Sequence, residues 1–370
     1  MMNKFTYIAP CHFGLESVLA GEIKRIGGEN VTSSDGKITF TGDINMVVRA
    51  NFQLRTAERV MIKLSEFKAE TFDQLFEGTK KINFEDYISK NDAFPVKGHS
   101  LNSKLYSIPD CQKIIKKAAV ERLKQHHKTN WFEETGALYQ IQFSIMKDNV
   151  IIMLDTSGAG LHKRGYRSNS NIAPIKETLA AGIIDLARVR HNSTVYDPFC
   201  GSGTFVIESA LKALGIPSGI KRKFICENWK IIPKNIWKEE RERAMSFVKH
   251  DAEFKAFGSD IDPAAIKLSL ENARISGTVA RMNMFVKDIK NFKMDSGIVI
   301  CNPPYGERML EIRAAEEIYR EMGKVFTPGD KKSYYIISPH EDFEQLFGRK
   351  ATKRRKLYNG MIKCQLFMYF

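Results

Sequence analysis

Over the first 160 residues the apolar positions switch repeatedly between a two-residue and a three-to-four-residue period, so short strands and helices are expected to alternate. Residues 5–9 read as a strand, 15–26 as an amphipathic helix closed by Gly27-Gly28, and 31–40 as a hairpin turning at 33–36. Residues 43–51 open a second helix with Asp43 as its N-cap, and 55–66 read as a strand. A second unit follows in a different order. Residues 71–80 predict a helix, 93–107 an extended stretch holding Pro95 and Gly98, and 108–125 a helix with Ile114, Ile115, Ala118, Ala119 and Leu123 on one stripe. Two strands, 138–147 and 149–155, meet at Lys147-Asp148-Asn149, a hairpin signal.

From residue 175 helices and strands alternate, the pattern of a parallel sheet covered on both faces. A leading helix over 176–188 precedes the strand Thr194–Asp197 and a helix over 204–214. A long insertion, 216–256, carries Trp229, Trp237 and a charged helix near 237–250. Strands are then expected at 256–260, 284–288, Gly297–Cys301 and Lys332–Ser338, with a helix at 264–276. Residues 356–370 close the chain as a hairpin turning at Asn359-Gly360. The loop-rich connector between 155 and 177 holds Lys163, Arg164, Tyr166 and Arg167, a basic cluster around an aromatic that suits phosphate contact with a stacked base. A linker packing on both neighbours explains it nearly as well.

Composition changes this picture little. Apolar residues make up 43% and charged ones 27% of the 370 residues, ordinary for a soluble globular protein of two or three domains. No apolar run nears the roughly 20 residues of a bilayer crossing, and the N-terminus lacks a signal-peptide core, so a cytoplasmic location is expected. The six cysteines are scattered and no His cluster accompanies them, which argues against a disulfide framework or a structural metal. Charge is more informative. Residues 1–160 hold 21 Lys and Arg against 19 Asp and Glu, the remainder 36 against 24, within a net charge of +14. An anionic polymer crossing the second half would explain that skew, as would solubility alone.

Two motifs carry the chemistry. In 297–308 a buried-looking β-branched run stops abruptly at Asn302-Pro303-Pro304-Tyr305. The two prolines stiffen the loop, the Asn302 amide and a backbone carbonyl accept N–H bonds, and Tyr305 offers an aromatic face. That set suits the exocyclic amino group of a flat base. The other motif, Asp197-Pro-Phe-Cys200-Gly201-Ser202-Gly203-Thr204, reads as strand, glycine turn and helix, where the backbone passes close to a ligand. It is neither a Walker loop nor the full dinucleotide pattern. Asp197, Asp260, Asp288 and Asn302 end four successive strands, where ligands bind in such sheets. Asp197 is placed to meet a cationic amino group, and Asp262, before Pro263, has a second reading as a helix N-cap.

Together these motifs resemble the class I methyltransferases that use S-adenosyl-L-methionine to methylate exocyclic amino groups. The chain as a whole is similar to the bacterial THUMP-containing 23S rRNA guanine-N2 methyltransferases, in the connector 160–167 and 173–181 as well as in the motifs. The resemblance implies an α/β protein: a ferredoxin-like module (1–65), a THUMP RNA-binding domain (66–157) and a Rossmann-like methyltransferase domain (158–370) ending in an antiparallel hairpin. It implies S-adenosyl-L-methionine as cofactor, RNA as partner, no metal, and a monomer. Asp197, Cys200, Gly201, Ser202, Gly203 and Thr204 would hold the methionine part. Asp260, helped by Asp262, would take the ribose, and Asp288 the adenine amino group. Asn302 and Pro303 would aim the substrate nitrogen while Tyr305 stacks on the base. Beside the resemblance, Lys163, Arg164, Tyr166 and Arg167 suit contact with RNA, as do the run 349–356 and lysines such as Lys104, Lys113 and Lys116, for which a solvated surface is the alternative reading. Methylation of tRNA, adenine-N6 methylation of DNA, and a non-catalytic assembly factor are the competing expectations. Larger relatives fuse a second methyltransferase, and that further activity is not expected of this chain.

Overall fold

Strand β1 (Phe5–Pro10), helix α1 (Glu16–Arg25), strands β2 (Glu29–Ser34) and β3 (Lys37–Gly42), helix α2 (Asn45–Gln53) and strand β4 (Met61–Lys68) begin the chain. Helix α3 (Phe72–Lys80), strand β5 (Val96–Leu101), helix α4 (Ile108–His127) and strands β6 (Ile141–Met146) and β7 (Asn149–Asp155) follow. The structure is a computed structural model that describes residues 4–167, 175–306 and 309–370. Local chemistry sets several boundaries. The Thr71 hydroxyl accepts from Gln74 N at the start of α3, and Asp43 Oδ1 accepts from Met46 N at 3.1 Å before α2. Lys147 and Asp148 take positive φ to close the turn between β6 and β7. Cys111, Ile115, Ala118, Ala119 and Leu123 form the buried stripe of α4.

These seven strands form one sheet in the order β2-β3-β1-β4-β7-β6-β5, with β4 antiparallel to β7 at the seam between the two small units. The expected strand over 55–66 starts late, at Met61. The reason lies in where the preceding donors go. Glu22 Oε2 accepts from Arg55 N and Thr56 N, each at 3.1 Å, and from the Thr56 hydroxyl at 2.8 Å. Backbone groups satisfied by a side chain have no need of a sheet partner.

The second half continues with α5 (Glu177–Leu186), β8 (Thr194–Asp197), α6 (Thr204–Ala213), α7 (Lys234–Met245), β9 (Lys255–Asp260), α8 (Pro263–Ser276), β10 (Met282–Val286) and β11 (Gly297–Cys301). It ends with α9 (Met309–Val325), β12 (Lys332–Ser338), α10 (Phe343–Phe347), β13 (Lys353–Asn359) and β14 (Ile362–Tyr369). Its sheet runs β10-β9-β8-β11-β12-β14-β13, parallel through β12 and antiparallel in the terminal hairpin. The chain starts at β8, steps outward to β10, then returns to lay β11 on the other side of β8. That reversal opens a crevice at the carboxyl ends of the strands. Val299, Ile300 and Cys301 are wholly buried, as expected of a strand covered on both faces.

The two halves share their cores. Leu15, the residue before α1, and Val18 of α1 pack in the core of the second half, and Leu15 lies so close to Gly182 that a Cβ there would meet it at 2.3 Å. In return, the insertion sends Phe224, Cys226, Trp229, Ile232 and Ile236 into the core of the first half. Trp229 stacks on Tyr139 at 4.5 Å and donates Nε1–H to the Leu138 carbonyl at 2.9 Å. Phe52 meets both Phe224 and Trp237 edge-on at 5.7 Å, and Arg49 Nε donates to Glu240 Oε2 at 3.0 Å. Sequence reading found the insertion but not its destination. All six cysteines are free and buried, and among the described residues no helix is long and apolar enough to cross a membrane.

The insertion yields a direct test. Trp229→Ala should cost about 3–5 kcal/mol, the usual loss for a large buried aromatic. Hydrogen exchange should then accelerate in β6 and β7, far from the substitution in sequence. Unchanged protection of those strands would refute the shared core.

Candidate active site at the strand ends

The carboxyl ends of β10, β9, β8 and β11 stand side by side, and around them opens a cavity of about 1070 Å³. Asp260, Asp288, Asn302, Pro303 and Tyr305 line it, so five of the residues singled out from sequence meet in one space. Asp288 lies two residues past β10, where its side chain caps a turn by accepting from Lys290 N at 2.9 Å. Asp260 is held by two backbone donors, Gly201 N on Oδ2 at 3.0 Å and Asp262 N on Oδ1 at 3.1 Å. The glycine turn and the acid at the end of β9 are therefore locked to each other.

Within the glycine turn the two glycines serve different ends. Gly201 has φ +50, and a Cβ added there would meet nothing within 4 Å, so its face is open. At Gly203, with φ +82, a Cβ would touch Ser269 Cβ at 3.0 Å, which marks close packing of the turn on α8. Cys200 is buried and its thiol is pushed up, by burial first and by Asp197 next; its backbone N–H donates to the Ser259 carbonyl at 2.9 Å. Ser202 accepts through its carbonyl from Asn272 Nδ2 at 2.9 Å. Asp262 is exposed and accepts from Ala264 N at 2.8 Å, so the N-cap reading accounts for it. None of Asp197, Cys200, Gly201, Ser202, Gly203, Thr204 and Asp262 lines the cavity.

Asp197 is only 2% exposed and sits behind the wall formed by Pro198 and Phe199. Its carboxylate accepts from Phe199 N at 3.1 Å. Burial, and then the neighbouring Asp260 carboxylate, push its pKa well above the usual carboxylate range.

The Asn302-Pro303-Pro304-Tyr305 loop is tied at several points. Tyr305 donates its hydroxyl to Asn302 Oδ1, and Tyr319 donates to the Pro304 carbonyl at 2.8 Å. Asn359 Nδ2 donates to the Tyr305 hydroxyl at 3.4 Å, and Cys364 Sγ lies 3.9 Å from it. Tyr305 is therefore not a free aromatic platform. Its ring packs on the core of the second half, its hydroxyl turns inward, and burial raises its pKa. Glu307 and Arg308, the end of the motif stretch, lie outside the described residues.

Two walls were missed from sequence. Helix α9 buries Ala315, Tyr319 and Met322 while Ala314, Glu317, Ile318 and Glu321 line the cavity, an i, i+3, i+4 stripe that was legible but unread. Asn359, Gly360 and Ile362 bring the terminal hairpin to the mouth, which no local pattern signals.

The connector corrects another expectation. Arg164 is 3% exposed, with Nε 3.4 Å from Glu208 Oε1 and Nη1 donating to the Leu161 carbonyl at 2.7 Å. Tyr166 is 2% exposed and donates to the same Glu208 oxygen at 3.1 Å. Arg167 pairs with Glu177 at 3.4 Å and donates to the Thr204 hydroxyl at 2.7 Å, which joins the connector to the glycine turn. Arg164 and Tyr166 do not face a ligand. Of the four residues, Lys163 is exposed, and the connector residues 168–174 lie outside the described ones. Among the described residues no group of three or more His, Cys, Asp or Glu could hold a metal.

Three family models match successive parts of the chain: an RlmL ferredoxin-like domain over residues 6–61, a THUMP domain over 69–155, and an RMKL-like methyltransferase domain over 164–367. YpsC of Bacillus subtilis, provisionally named an RNA methyltransferase, is 45% identical over 373 residues, 100% of this chain and 97% of YpsC. Ribosomal RNA large subunit methyltransferase K/L of Psychromonas ingrahamii is 31% identical over 377 residues, 98% of this chain and 50% of that protein. The chain thus spans about half the length of that relative. SMU.472, a provisionally named methyltransferase solved in complex with SAH, superposes with a TM-score of 0.94 at 36% identity, over 100% of this chain and 99% of that one. A Listeria monocytogenes structure, named by prediction an N6-adenine-specific DNA methylase, gives a TM-score of 0.94 at 41% identity, over 100% and 96%.

The buried Asp197 makes a prediction with a definite sign. Because its folded pKa is raised, the fold favours the protonated form, and stability falls as pH rises through the folded value. Asp197→Asn should therefore raise the melting temperature by roughly a few degrees at pH 7–8. The gain should vanish below the ordinary carboxylate range, where both side chains are neutral. Equal melting of the two proteins at pH 8 would contradict the buried charge.

Proposed function

Because the chain belongs to the RMKL-like methyltransferase family, with an RlmL ferredoxin-like and a THUMP domain ahead of the catalytic one, we propose that it methylates the exocyclic N2 amino group of a guanine in large-subunit rRNA, with S-adenosyl-L-methionine as donor. The observation that carries this reading is the convergence of Asp260, Asp288 and Asn302 on one cavity at the reversal point of the sheet. A cavity of about 1070 Å³ lies at the upper end of the usual range for ligand sites, roughly 300–1,000 Å³.

The residues present fit a nucleoside cofactor. The open face at Gly201 admits a close backbone contact, and Asp260 and Asp288 supply carboxylate acceptors flanked by the apolar Ile261 and Ile289. Asp260 would take the ribose hydroxyls and Asp288 the adenine amino group, with the glycine-turn backbone against the methionine part. The buried Asp197 would act at that end indirectly, by holding the Phe199 N–H and so the Pro198–Phe199 wall of the cavity. When bound, the cofactor supplies an electrophilic sulfonium methyl.

The chain's own work is placement. An amide oxygen has two lone pairs, so Asn302 Oδ1 can accept from Tyr305 and still accept an N–H of the substrate. The Tyr305 bond would restrain the Asn302 amide, and the Tyr319 bond to the Pro304 carbonyl would restrain the loop. A nitrogen so oriented needs no strong base, since its proton leaves as it becomes cationic. The THUMP match and the name of the K/L relative support RNA as the polymer. The Listeria neighbour's name favours a second reading, adenine in DNA, against which the THUMP domain counts.

Transfer of labelled methyl to deproteinised rRNA, bulk tRNA and DNA, followed by nucleoside analysis, separates these readings. N2-methylguanosine in 23S rRNA is the expected product; label in tRNA, or as N6-methyladenine in DNA, would overturn the substrate. Asn302→Ala should leave cofactor affinity nearly intact and cut turnover by on the order of a hundredfold or more. Undiminished turnover in that variant would remove Asn302 from the chemistry.

A further inference from the structure

At the tip of the terminal hairpin Met361 is 97% exposed, while its neighbours Gly360 and Ile362 line the catalytic cavity. Asn359 pairs with Ile362 across the hairpin, so Gly360 and Met361 form a two-residue turn, and Gly360 takes the positive φ of +64 that such a turn requires. Nothing in turn geometry asks for a long apolar side chain at the second position. Single exposed apolar residues are common on protein surfaces and by themselves mean nothing. This one is different in where it is held. Asn359 and Cys364, on either side of the tip, reach the Tyr305 hydroxyl, so the turn is moored to the Asn302–Tyr305 loop. Lys356 and Lys363 on the two strands are exposed, and neither makes an ion pair among the described residues. The hairpin thus presents an apolar point flanked by cations at the rim of the pocket that would receive the base.

We propose that Met361 is a stacking wedge, which enters the RNA stack at the place the target base leaves when it turns into the cavity. The inference rests on the proposed function and adds how the base is withdrawn. A base inside a helix cannot reach Asn302, so it must be unstacked, at a cost of a few kcal/mol. An unbranched apolar side chain that fills the gap offsets part of that cost, and methionine is among the residues that do so between base steps. Lys356 and Lys363 lie within a few residues of the tip and suit the phosphates on either side of the opened step.

The test uses the full chain and two forms of one unmethylated rRNA fragment carrying the target guanine, one with that guanine paired and one with the opposing nucleotide replaced by an abasic site. Single-turnover methyl transfer is measured on both, and the ratio of paired to unpaired rate is the readout. In Met361→Ser that ratio should fall about tenfold, since the paired form alone depends on opening a stack, and Met361→Leu should restore it. A ratio in Met361→Ser equal to the wild-type value would overturn the wedge and leave the proposed function standing. Wild-type silence on both fragments would remove the proposed function, and the wedge with it.

Discussion

Trp229 and Phe224 leave the catalytic half of the chain to be buried in the core of the first half, where the indole lies flat on Tyr139 and Phe224 meets Phe52 edge-on. Leu15 and Val18 make the reciprocal trade from the start of α1. Aromatic side chains of this size remove 150–250 Å² each from water, so neither half completes its core without the other. The consequence is geometric. The sheet that carries the THUMP unit and the sheet that carries the strand ends are held in one arrangement by apolar packing, and polar bonds only refine it. Arg164 and Glu208 show that refinement: both are buried at the seam, where a charge without its partner would be strongly destabilising.

The catalytic cavity then follows from strand order. Because β11 returns to the side of β8 opposite β9, the helices that follow these strands diverge, and the space between them cannot be filled by either. The polar groups at the strand ends are restrained before any ligand arrives. Asp260 is bonded to Gly201 and Asp262, Asp288 to Lys290, and Asn302 to Tyr305. Donors and acceptors already in place need little reorganisation when charge moves, which is where most of an enzyme's advantage in such a transfer arises.

Much of this was legible in the sequence because it is local. The strands Thr194–Asp197, Gly297–Cys301 and Lys332–Ser338 match their expected bounds, and of the four groups at strand ends Asp260, Asp288 and Asn302 line one cavity while Asp197 is buried outside it. What escaped was set by partners distant in sequence. The segment before β4 lost its strand character to Glu22, a buried carboxylate no window around residue 55 contains. Arg164 and Tyr166 had the composition of a nucleic-acid contact and the fate of a core, because Glu208 waits for them on α6. The terminal hairpin was expected, but its turn lies one residue further on, at Gly360-Met361, and the register that brings Asn359 beside Tyr305 is a property of the whole sheet.

The same lesson limits what net charge can say. The second half carries nearly all of the excess of Lys and Arg, yet several of those charges are already committed inside the protein. Arg164 and Arg167 neutralise Glu208 and Glu177, and Arg222, lowered to about 10 chiefly by burial, donates to the Gly160 and Lys163 carbonyls. Arg349 caps the Phe326 carbonyl and lies 4.9 Å from the Phe347 ring, so the run 349–356 begins with a structural cation. In the first half Lys116 pairs with Glu134 and sits 3.4 Å from the Phe94 ring. Cations held in this way contribute little to counterion release, which depends on charges that meet phosphate. The field an anionic polymer would feel near the cavity is therefore carried by fewer groups than the sequence suggests, among them Lys287 and Lys290 in its lining. A skewed charge count thus points to the right half of the chain, and burial decides which of its residues can act.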